Sequence, residues 1–464
     1  MKERVLSFIK ENGLIEPDST VLVGVSGGPD SMAILHFLRS IMDEWNLKII
    51  ALTVDHQLRG EESEEDLRFV EKICAEWNIE FYGTFLDVPS YKKQNHIGTQ
   101  VAARKMRYQF FSRKMKDLGA DYLAFGHHAD DQIETMLMGF VRSTNSRAIA
   151  GMPVIRPFNT GFIIRPFLCV TKDEIKNYCQ KHGIHSRLDP SNLTTDYTRN
   201  YFRKFVLPLL KKQNSNIHTT VRRLSKSLQS DDDYLTGEAK KLLKQVVSLN
   251  ESKNYATFDI DLFQGYHGAL QRRVYHLILN YLYDELPKNL SYMHEEQFFV
   301  LLNSQKANGI LDFPHQLKVE KSYRTLSVYF EDKLPQASPF HEILPIPGEV
   351  VLPDGSVVRA DYTEESHSQN QEVYLCSKNK IALPLHIRTR IPGDRMSWKG
   401  LEGSKKVKDI FIDEKVPVRM RDSWPVVTDN NGVILWLCGL KKGEPADQTK
   451  DTSFIQLYFR KATL

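Results

Sequence analysis

The sequence is poor in cysteine and lacks any long apolar stretch. Its five cysteines are scattered through 464 residues, and no two of them form a C-x-x-C pair. This spacing argues against a disulfide framework and against a zinc or iron–sulfur site built from cysteine. The longest apolar runs, such as Val433–Cys438, fall far short of the roughly 18 residues that a membrane-spanning helix needs. Because the first residues also lack the apolar segment of a signal peptide, we expect a cytoplasmic protein without a membrane partner.

Two widespread nucleotide-binding motifs are missing as well. The chain contains neither the G-x-x-x-x-G-K-S/T phosphate loop nor the G-x-G-x-x-G dinucleotide motif. The composition does not single out a class of partner, since 41% of the residues are hydrophobic, 26% are charged and the net charge is only +4. These values are typical of a soluble globular protein, and the length corresponds to about three domains.

Strand-like and helix-like segments alternate through the first part of the chain. The predicted strands are Val21–Val25, Lys48–Val54, Glu80–Leu86, Tyr122–Phe125 and Phe162–Ile164. Such alternation predicts βαβ units, and hence an α/β fold with a doubly wound parallel sheet. Ligands of these sheets bind beyond the carboxyl ends of the strands.

The rest of the chain changes character twice. Apolar residues recur at helical spacing from about Phe202 to Leu302, and strand-like runs return from about Gly309 onward. We therefore predict an N-terminal α/β domain at 1–205, a helical domain at 206–335 and a C-terminal mixed α+β domain at 336–464.

A glycine-rich segment, Ser26-Gly27-Gly28-Pro29-Asp30-Ser31, directly follows the first predicted strand. Its two glycines let backbone N–H groups approach an anion, and the N-terminus of the next helix adds positive potential. The two serines supply hydroxyl donors. A serine-capped turn would explain a bare Ser-Gly-Gly, but the preceding strand together with Asp30 and Ser31 favours a phosphate-binding loop.

Two further polar clusters follow the second and fourth predicted strands. Asp55 and His56 end the second strand, whereas His127, Asp130 and Glu134 follow the fourth. Asp130 and Glu134 would lie on one face of a helix that begins near Asp130. Two such carboxylates can hold Mg²⁺ together with phosphate oxygens, or bind an ammonium group. Acidic residues also commonly cap helix starts, but the adjacent histidines favour the functional interpretation.

Basic residues are segregated from acidic ones along the chain. The segments 88–116, 135–172 and 199–230 contain Lys and Arg but no Asp or Glu. One run of this kind is usually a solvated face. Three of them in a nearly neutral chain favour a surface that binds a polyanion such as nucleic acid.

The S-G-G-x-D-S segment after a first strand resembles the pyrophosphate loop of the ATP pyrophosphatase family. Together with D-H-x-L-R at 55–59 and G-H-H-x-D-D-x-x-E-T at 126–135, it resembles the tRNA(Ile)-lysidine synthetases within that family. The similarity extends to both ends of the chain and is weak in the helical middle. Its other segments are Ala103–Tyr108, Asp189–Asn192, Arg199–Arg203, Ile391–Arg395, Lys406–Phe411, Lys415–Pro417 and Pro425–Val427.

This resemblance implies an adenine nucleotide alpha hydrolase-like catalytic domain and an ATP-dependent ligase. Such enzymes convert the wobble cytidine of a CAU-anticodon tRNA(Ile) to lysidine, which changes decoding from AUG to AUA. The cytosine C2 carbonyl oxygen attacks the α-phosphate of ATP, pyrophosphate leaves, and the ε-amine of free lysine then displaces AMP. The implied cofactors are ATP and Mg²⁺, and the implied partners are tRNA(Ile) and free L-lysine. A homodimer is compatible with the sequence.

The chemistry of the two steps assigns roles to the motif residues. The loop at 26–31, with Asp55 and His56, would bind ATP. Mg²⁺ would be held by Asp30, or by Asp130 and Asp131. Either Arg104 or Arg107 would stabilise the charge that develops on the α-phosphate.

The amine and the RNA need groups of their own. One of Asp130, Glu134 and His127 would hold the lysine ammonium and help to deprotonate it. The RNA backbone would be bound by basic residues near the end of the catalytic domain and in the C-terminal domain. These residues are Arg199, Arg203, Lys204, Arg222, Arg223, Arg395, Lys406 and Lys408.

Two other functions remain as alternatives at this point. A tRNA base sulfur-transferase of the same superfamily would also adenylate a base carbonyl, but it needs a cysteine pair that this sequence does not offer. A non-catalytic protein that binds ATP and RNA would have no use for intact acidic residues at Asp30, Asp130 and Asp131.

Overall fold

A computed structural model describes residues 1–58, 60–142, 146–187, 198–250, 254–331, 339–363, 372–443 and 453–462. The chain divides into two compact units, Met1–Tyr234 and Leu235–Leu464. Some of the features named above lie outside the described residues. They are Arg59, the segment Asp189–Asn192 and the predicted domain boundary between residues 335 and 336. The division into three domains stays a prediction.

The first unit alternates strands and helices. Its strands are β1 (Thr20–Gly24), β2 (Lys48–Asp55), β3 (Glu80–Phe85), β4 (Tyr122–Ala124), β5 (Ile155–Phe158) and β6 (Gly161–Ile164). Its helices are α1 (Lys2–Glu11), α2 (Pro29–Arg39), α3 (Glu61–Glu76), α4 (Val88–Asn95), α5 (Thr99–Asp117), α6 (Ala129–Arg142), α7 (Ser146–Ile149), α8 (Lys172–Lys181), α9 (Thr198–Tyr201), α10 (Leu207–Gln213) and α11 (Ile217–Val246). A π-helical turn at Phe202–Val206 joins α9 to α10, and the division between the units falls within α11.

The six strands form one sheet in the order β3-β2-β1-β4-β6-β5. Neighbouring strands pair in parallel, except for the antiparallel hairpin of β5 and β6. The chain runs outward from β1 in one direction and from β4 in the other, so β1 and β4 flank the point where the strand order reverses. Ligands of doubly wound sheets bind beside that point. The predicted fold of the N-terminal region is confirmed.

Both faces of this sheet are buried. Val21 and Val23 of β1 belong to one core, whereas Leu22 belongs to the other. Consecutive strand residues point to opposite faces, which is why the uninterrupted apolar run of β1 needs cover on both sides. Helix α5 covers the second face with Phe110 and Phe111, so these aromatic residues are part of the core.

The second unit contains a helical part and a larger β part. Its helices are α12 (Ile260–Gln264), α13 (Gly268–Leu282), α14 (Tyr292–Asn303), α15 (Val407–Asp413) and α16 (Val418–Arg421). Its strands are β7 (Val247–Leu249), β8 (Tyr255–Asp259), β9 (Asn308–Phe313), β10 (Leu317–Ser322), β11 (Thr325–Phe330), β12 (His341–Leu344), β13 (Gly348–Val351), β14 (Val357–Thr363), β15 (Val373–Ser377), β16 (Leu385–Thr389), β17 (Arg395–Met396), β18 (Lys405–Lys406), β19 (Pro425–Thr428), β20 (Ile434–Leu437), β21 (Lys441–Lys442) and β22 (Phe454–Arg460).

The sheets of the second unit are antiparallel. Helices α13 and α14 share a core with the sheet β7-β8-β11-β10-β9. The sequence predicted strands from about Gly309 onward but not β7 and β8. The sheets β12-β16-β19-β20-β21 and β13-β14-β22-β15 share another core around Trp436 and Tyr374. A short ribbon of β17 and β18 lies beside α15. The predicted order of α/β, helical and mixed regions is confirmed.

Candidate active site

The loop between β1 and α2 has the backbone geometry of an anion-binding turn. Gly27 has a φ of +78°, a left-handed conformation that favours glycine. The Ser31 hydroxyl donates to the Gly28 carbonyl at 2.9 Å and accepts from the Ser26 N–H at 3.1 Å. Pro29 opens α2, where its missing N–H costs no helical hydrogen bond. The loop therefore presents the positive N-terminus of α2 at the carboxyl end of β1.

The loop after β4 packs directly against this turn. A Cβ atom on Gly126 would lie 2.5 Å from the Asp30 carbonyl oxygen and 3.2 Å from the Ser31 amide nitrogen. Both neighbours are backbone atoms that cannot turn away, so only glycine fits there. The two polar clusters that follow β1 and β4 are thus brought together, as the sheet topology predicts.

Three carboxylates converge on the buried imidazole of His128. Its Nε2 lies 3.8 Å from Asp30 and 3.4 Å from Asp131, and its Nδ1 lies 3.7 Å from Asp130. The Asp30 side chain is 31% exposed, whereas that of Asp130 is 4% exposed. Asp30 is therefore the carboxylate of this group that a bound ligand can reach most easily.

Lys172 links Asp30 to Asp130. Its Nζ donates to both oxygens of Asp30 at 2.6 Å, and its backbone N–H donates to Asp130 at 2.8 Å. A capping box formed by Thr171 and Glu174 starts α8 and fixes the position of Lys172. The sequence analysis gave Lys172 no role in the site.

Asp130 also accepts from two residues far away in the chain. The Nζ of Lys211 and the Nε2 of His218 both contact Oδ1, the imidazole at 3.0 Å. Burial raises the pKa of Asp130, but the hydrogen bonds from His218, Lys211 and the Lys172 backbone outweigh it and hold the pKa below its usual range. The carboxylate is therefore ionised at neutral pH.

Glu134 is completely buried and paired with two arginines. It accepts from the Nε atoms of Arg199 at 2.9 Å and Arg203 at 2.7 Å. Arg203 also donates to Asp131 at 3.1 Å. Burial raises the pKa of Asp131, but the nearby histidines and Arg199 lower it more. The predicted RNA-binding residues Arg199 and Arg203 are thus engaged inside the site, while their RNA contacts stay a prediction.

Two histidines of the site, His56 and His127, are held in the neutral form. Burial is the main cause that lowers the pKa of His127 to about 3 and that of His56 to about 4. Nearby guanidinium groups, such as Arg107 beside His56, add to the effect. Asp55 is buried, and its carboxylate accepts from the backbone N–H of Gln57 at 2.7 Å, which shapes the end of β2.

Arg104 and Arg107 lie on α5 near the rim of the sheet. Arg104 is exposed, stacks over the Tyr108 ring at 4.6 Å and donates to its hydroxyl at 3.1 Å. Arg107 is half-buried beside His56, and burial lowers its pKa. The roles predicted for the two guanidinium groups at the α-phosphate stay predictions.

The other predicted RNA-binding residues lie on the surface. Lys204, Arg222 and Arg223 are exposed on the helices at the end of the first unit. In the second unit, Arg395 of β17 pairs with Lys406 of β18 across the ribbon, and Lys408 follows on α15. All three of these side chains are exposed. Like charges on directly opposed strands repel each other, so this ribbon offers a favourable place for an anion.

The residues fit Mg²⁺ only with the help of a ligand. Among the described residues, no group of three or more His, Cys, Asp or Glu side chains is arranged to hold a metal ion. Mg²⁺ in nucleotide sites usually takes one or two carboxylates and completes its shell with phosphate oxygens and water. Asp30 fits that requirement through its exposure, whereas the oxygens of Asp130 already accept three hydrogen bonds.

The cysteines give no support to sulfur chemistry. All five are free and buried. Burial raises the pKa of Cys74 and Cys169 to about 12, so neither is a ready thiolate. Across the parts of the chain that the structure describes, we find no helix with the length and apolarity to span a membrane.

Comparisons with known proteins agree with this geometry. Residues 1–210 match the family model of the PP-loop domain, and residues 385–458 match that of the TilS substrate C-terminal domain. The fold and the loop after β1 therefore define the chain as a PP-loop, ATP-using protein.

Its relatives narrow this class to one family. The tRNA(Ile)-lysidine synthase of Oceanobacillus iheyensis is 46% identical over 449 residues, which cover 97% of this chain and 96% of the relative. That of Bacillus subtilis is 43% identical over 441 residues, which cover 94% and 93%. A crystal structure of a TilS C-terminal domain is 35% identical with a TM-score of 0.26, and the match covers 27% of this chain and 100% of that one. The chain belongs to the tRNA(Ile)-lysidine synthase family.

Proposed function

We propose that this chain is the ATP-dependent ligase that joins lysine to C2 of the wobble cytidine in tRNA(Ile). The observation that carries the proposal is the meeting of the phosphate loop with the Asp30–His128–Asp130 cluster at the switch point of the sheet. A phosphate cradle beside ionised carboxylates suits a reaction that first activates a carbonyl with ATP and then admits an amine.

In the first step, the loop at 26–31 binds the β- and γ-phosphates that leave as pyrophosphate. Mg²⁺ bound by Asp30 and phosphate oxygens would neutralise charge on that leaving group. Lys172 lies against Asp30 and adds a further cation next to the loop. Arg104 or Arg107 stabilises the α-phosphate while the cytosine O2 attacks it.

In the second step, the ammonium group of the incoming lysine takes the place of the Lys211 ammonium on Asp130. The ammonium of Lys211 already contacts its Oδ1, and its lowered pKa keeps the carboxylate charged. His127 is a weaker candidate because its imidazole is neutral and lies near the cations Arg165 and Arg199, which disfavour a bound ammonium. Glu134 acts instead by positioning Arg199 and Arg203.

RNA binding uses the surface cations of both units. Lys204, Arg222 and Arg223 contact the backbone near the catalytic unit, and the exposed cations of the β17–β18 ribbon and α15 form a second contact. The cytoplasmic location and a homodimer stay predictions.

Trapping the intermediate tests the proposed chemistry. The full chain is incubated with α-³²P-labelled ATP, Mg²⁺ and tRNA(Ile) without lysine, and lysine is then added. We expect label to enter the RNA first and to leave as AMP after lysine is added. Label that never enters the RNA would contradict an adenylated base. Label that is released by a persulfide but not by lysine would favour the sulfur-transferase alternative.

A further inference from the structure

Four arginines gather at the edge of the sheet beyond the phosphate loop. Arg104 and Arg107 lie on α5, Arg156 on β5, and Arg165 directly follows β6. The antiparallel register pairs Arg156 with Ile163, which places it near the carboxyl end of β6. This is the edge at which His56 and His127 follow β2 and β4. We call these four residues the arginine cluster.

The ring of Tyr108 joins two members of the arginine cluster. The guanidinium carbon of Arg104 lies 4.6 Å from the ring centroid and that of Arg156 lies 5.7 Å from it. Arg156 also lies 5.7 Å from the ring of Phe158. Stacking on aromatic rings fixes the planes of the guanidinium groups and leaves their N–H edges free to bind a planar or tetrahedral anion.

The arginine cluster has no acidic counterpart among the described residues. No Asp or Glu there makes an ion pair with Arg104, Arg107, Arg156 or Arg165, although most of the other guanidinium groups near the site have one. Arg165 is only 4% exposed, and its Nη1 donates to the Pro153 carbonyl at 2.6 Å. The Nε atoms of Arg107 and Arg165 are buried without a partner among these residues.

Such an arrangement is unfavourable without an anion. A buried cation loses its hydration, and neighbouring cations add repulsion. Burial is the main cause that lowers the pKa of Arg165 to about 10, and Arg156 and Arg104 lower it further. A ligand with several negative charges would accept hydrogen bonds from the unpaired N–H groups. It would also offset the repulsion between the neighbouring guanidinium groups.

We propose that Arg156 and Arg165, with the one of Arg104 and Arg107 that does not serve the α-phosphate, bind phosphodiester groups of the tRNA anticodon loop beside the base that is adenylated. The proposal rests on the proposed function and adds a second phosphate site to the loop at 26–31. The cluster extends from buried Arg165 to exposed Arg104, which suits successive phosphates along a strand better than one phosphate group. Its inner end borders His127, so RNA held there would bring a base to the ATP rim.

Arg156 offers the clearest test because it is only half-buried and makes no ion pair with another described residue. Arg156→Gln removes the charge, and Arg113→Gln serves as the matched control. Arg113 is exposed on α5, nine residues after Arg104, which places it on the opposite face of the helix. Binding of a fluorescent tRNA(Ile) anticodon stem-loop to the full chain is measured by anisotropy over a range of KCl concentrations. The KM for ATP is measured in parallel with full-length tRNA.

We expect Arg156→Gln to weaken RNA binding about fivefold to tenfold, and to lower the slope of log K against log salt by about 0.7 to 0.9. The KM for ATP should stay unchanged, and Arg113→Gln should behave like the wild type. A raised KM for ATP with unchanged RNA binding would overturn the proposal in favour of an ATP site. A Kd for RNA and a KM for ATP that both stay unchanged in Arg156→Gln would also overturn the proposal. These outcomes count only if the wild type forms lysidine, so a failure of the proposed function would be seen separately.

Discussion

Asp30 and Asp130 face opposite nitrogens of the His128 ring, yet their surroundings differ. Asp30 is partly exposed and pairs with one flexible lysine side chain, whereas Asp130 is buried among Lys172, Lys211 and His218. At the residue scale, this difference separates two roles. The open carboxylate suits a metal ion that arrives with ATP, and the enclosed one suits a single ammonium group.

Asparagine substitutions at these two positions should therefore affect different steps. Asp30→Asn should lower the rate of transfer of labelled AMP to tRNA by a factor of at least about 100, because it removes a negative charge needed to hold Mg²⁺ at the phosphates. Asp130→Asn should keep that transfer but raise the KM for lysine about tenfold or more. The control is Asp173→Asn, an exposed acid on α8. Equal effects of both site variants on adenylation would contradict the division of roles.

The neutral histidines predict a specific pH dependence of stability. The pKa of His127 is about 3 in the folded chain and about 6.5 in the unfolded chain, so the unfolded state binds more protons between these values. Its stabilising contribution is complete above pH 6.5 and is lost as the pH falls toward 3. Between pH 7 and pH 5 the loss amounts to at most about 2 kcal/mol.

Thermal unfolding of His127→Asn at pH 7 and pH 5 checks this expectation. The variant should lose less stability than the wild type over this interval, because its side chain does not titrate. His96→Asn, which changes an exposed histidine, should follow the wild type. If His127→Asn lost as much stability between pH 7 and pH 5 as the wild type, His127 would take up no proton on unfolding.

At the element scale, the features that could be predicted were those that depend on a short, continuous stretch of sequence. Each of the five predicted strands of the first unit appears within one residue of its predicted bounds, because each is a short run of apolar or β-branched residues in a chain where such runs alternate with helical segments. Strand β5 was missed since its four residues include Arg156 and Pro157 and show no alternation. Strands β7 and β8 were missed because they are short and lie between helical segments.

Helix α8 links local sequence to the site through its N-terminus. Thr171→Ala removes the hydroxyl that accepts from the Glu174 N–H, and should lower the free energy of unfolding by about 1 kcal/mol. That corresponds to a fall in Tm of about 2–4 °C for a unit of this size. Lysidine formation should fall as well, because Lys172 at the first helical position loses its fixed place beside Asp30 and Asp130.

Thr171→Ser is the matched control because it keeps the hydroxyl. It should restore both Tm and activity to nearly wild-type values. Activity that is lost in Thr171→Ala while Tm stays unchanged would show that the capping box does not position the site through helix stability.

The completed site depends on contacts that no local pattern reveals. His218 reaches Asp130 across 88 residues, and Lys172 reaches Asp30 across 142. Sequence reasoning found the strand ends and their acidic residues because sheet topology brings them to one edge. It missed these partners because side-chain pairing over such separations depends on how α8 and α11 pack. The signals that pointed toward them were the basic run at 135–172, which contains Lys172, and the basic run at 199–230, which contains His218.

At the scale of the whole molecule, the RNA contact proposed for the second unit predicts an effect on tRNA binding rather than on turnover. Changing Lys406 and Lys408 together to glutamine should raise the Kd for tRNA(Ile). It should also lower the slope of log K against log salt by about one to two, because two phosphate-binding charges are removed. The turnover at saturating tRNA should stay close to that of the wild type. Changing exposed Lys240 and Lys241 of α11 instead provides a control of equal charge. An unchanged Kd for the Lys406 and Lys408 variant would remove the ribbon from the RNA contact.

The central claim is the transfer of lysine to one tRNA at the cost of one ATP. The direct measurement supplies the full chain with ATP, Mg²⁺ and labelled lysine, and compares transcripts of tRNA(Ile) and tRNA(Met) that share the CAU anticodon. AMP and incorporated lysine are counted in the same reactions. We predict one AMP per lysine on tRNA(Ile) and no incorporation into tRNA(Met). AMP formation without lysine in tRNA(Ile), or equal incorporation into both transcripts, would contradict this account.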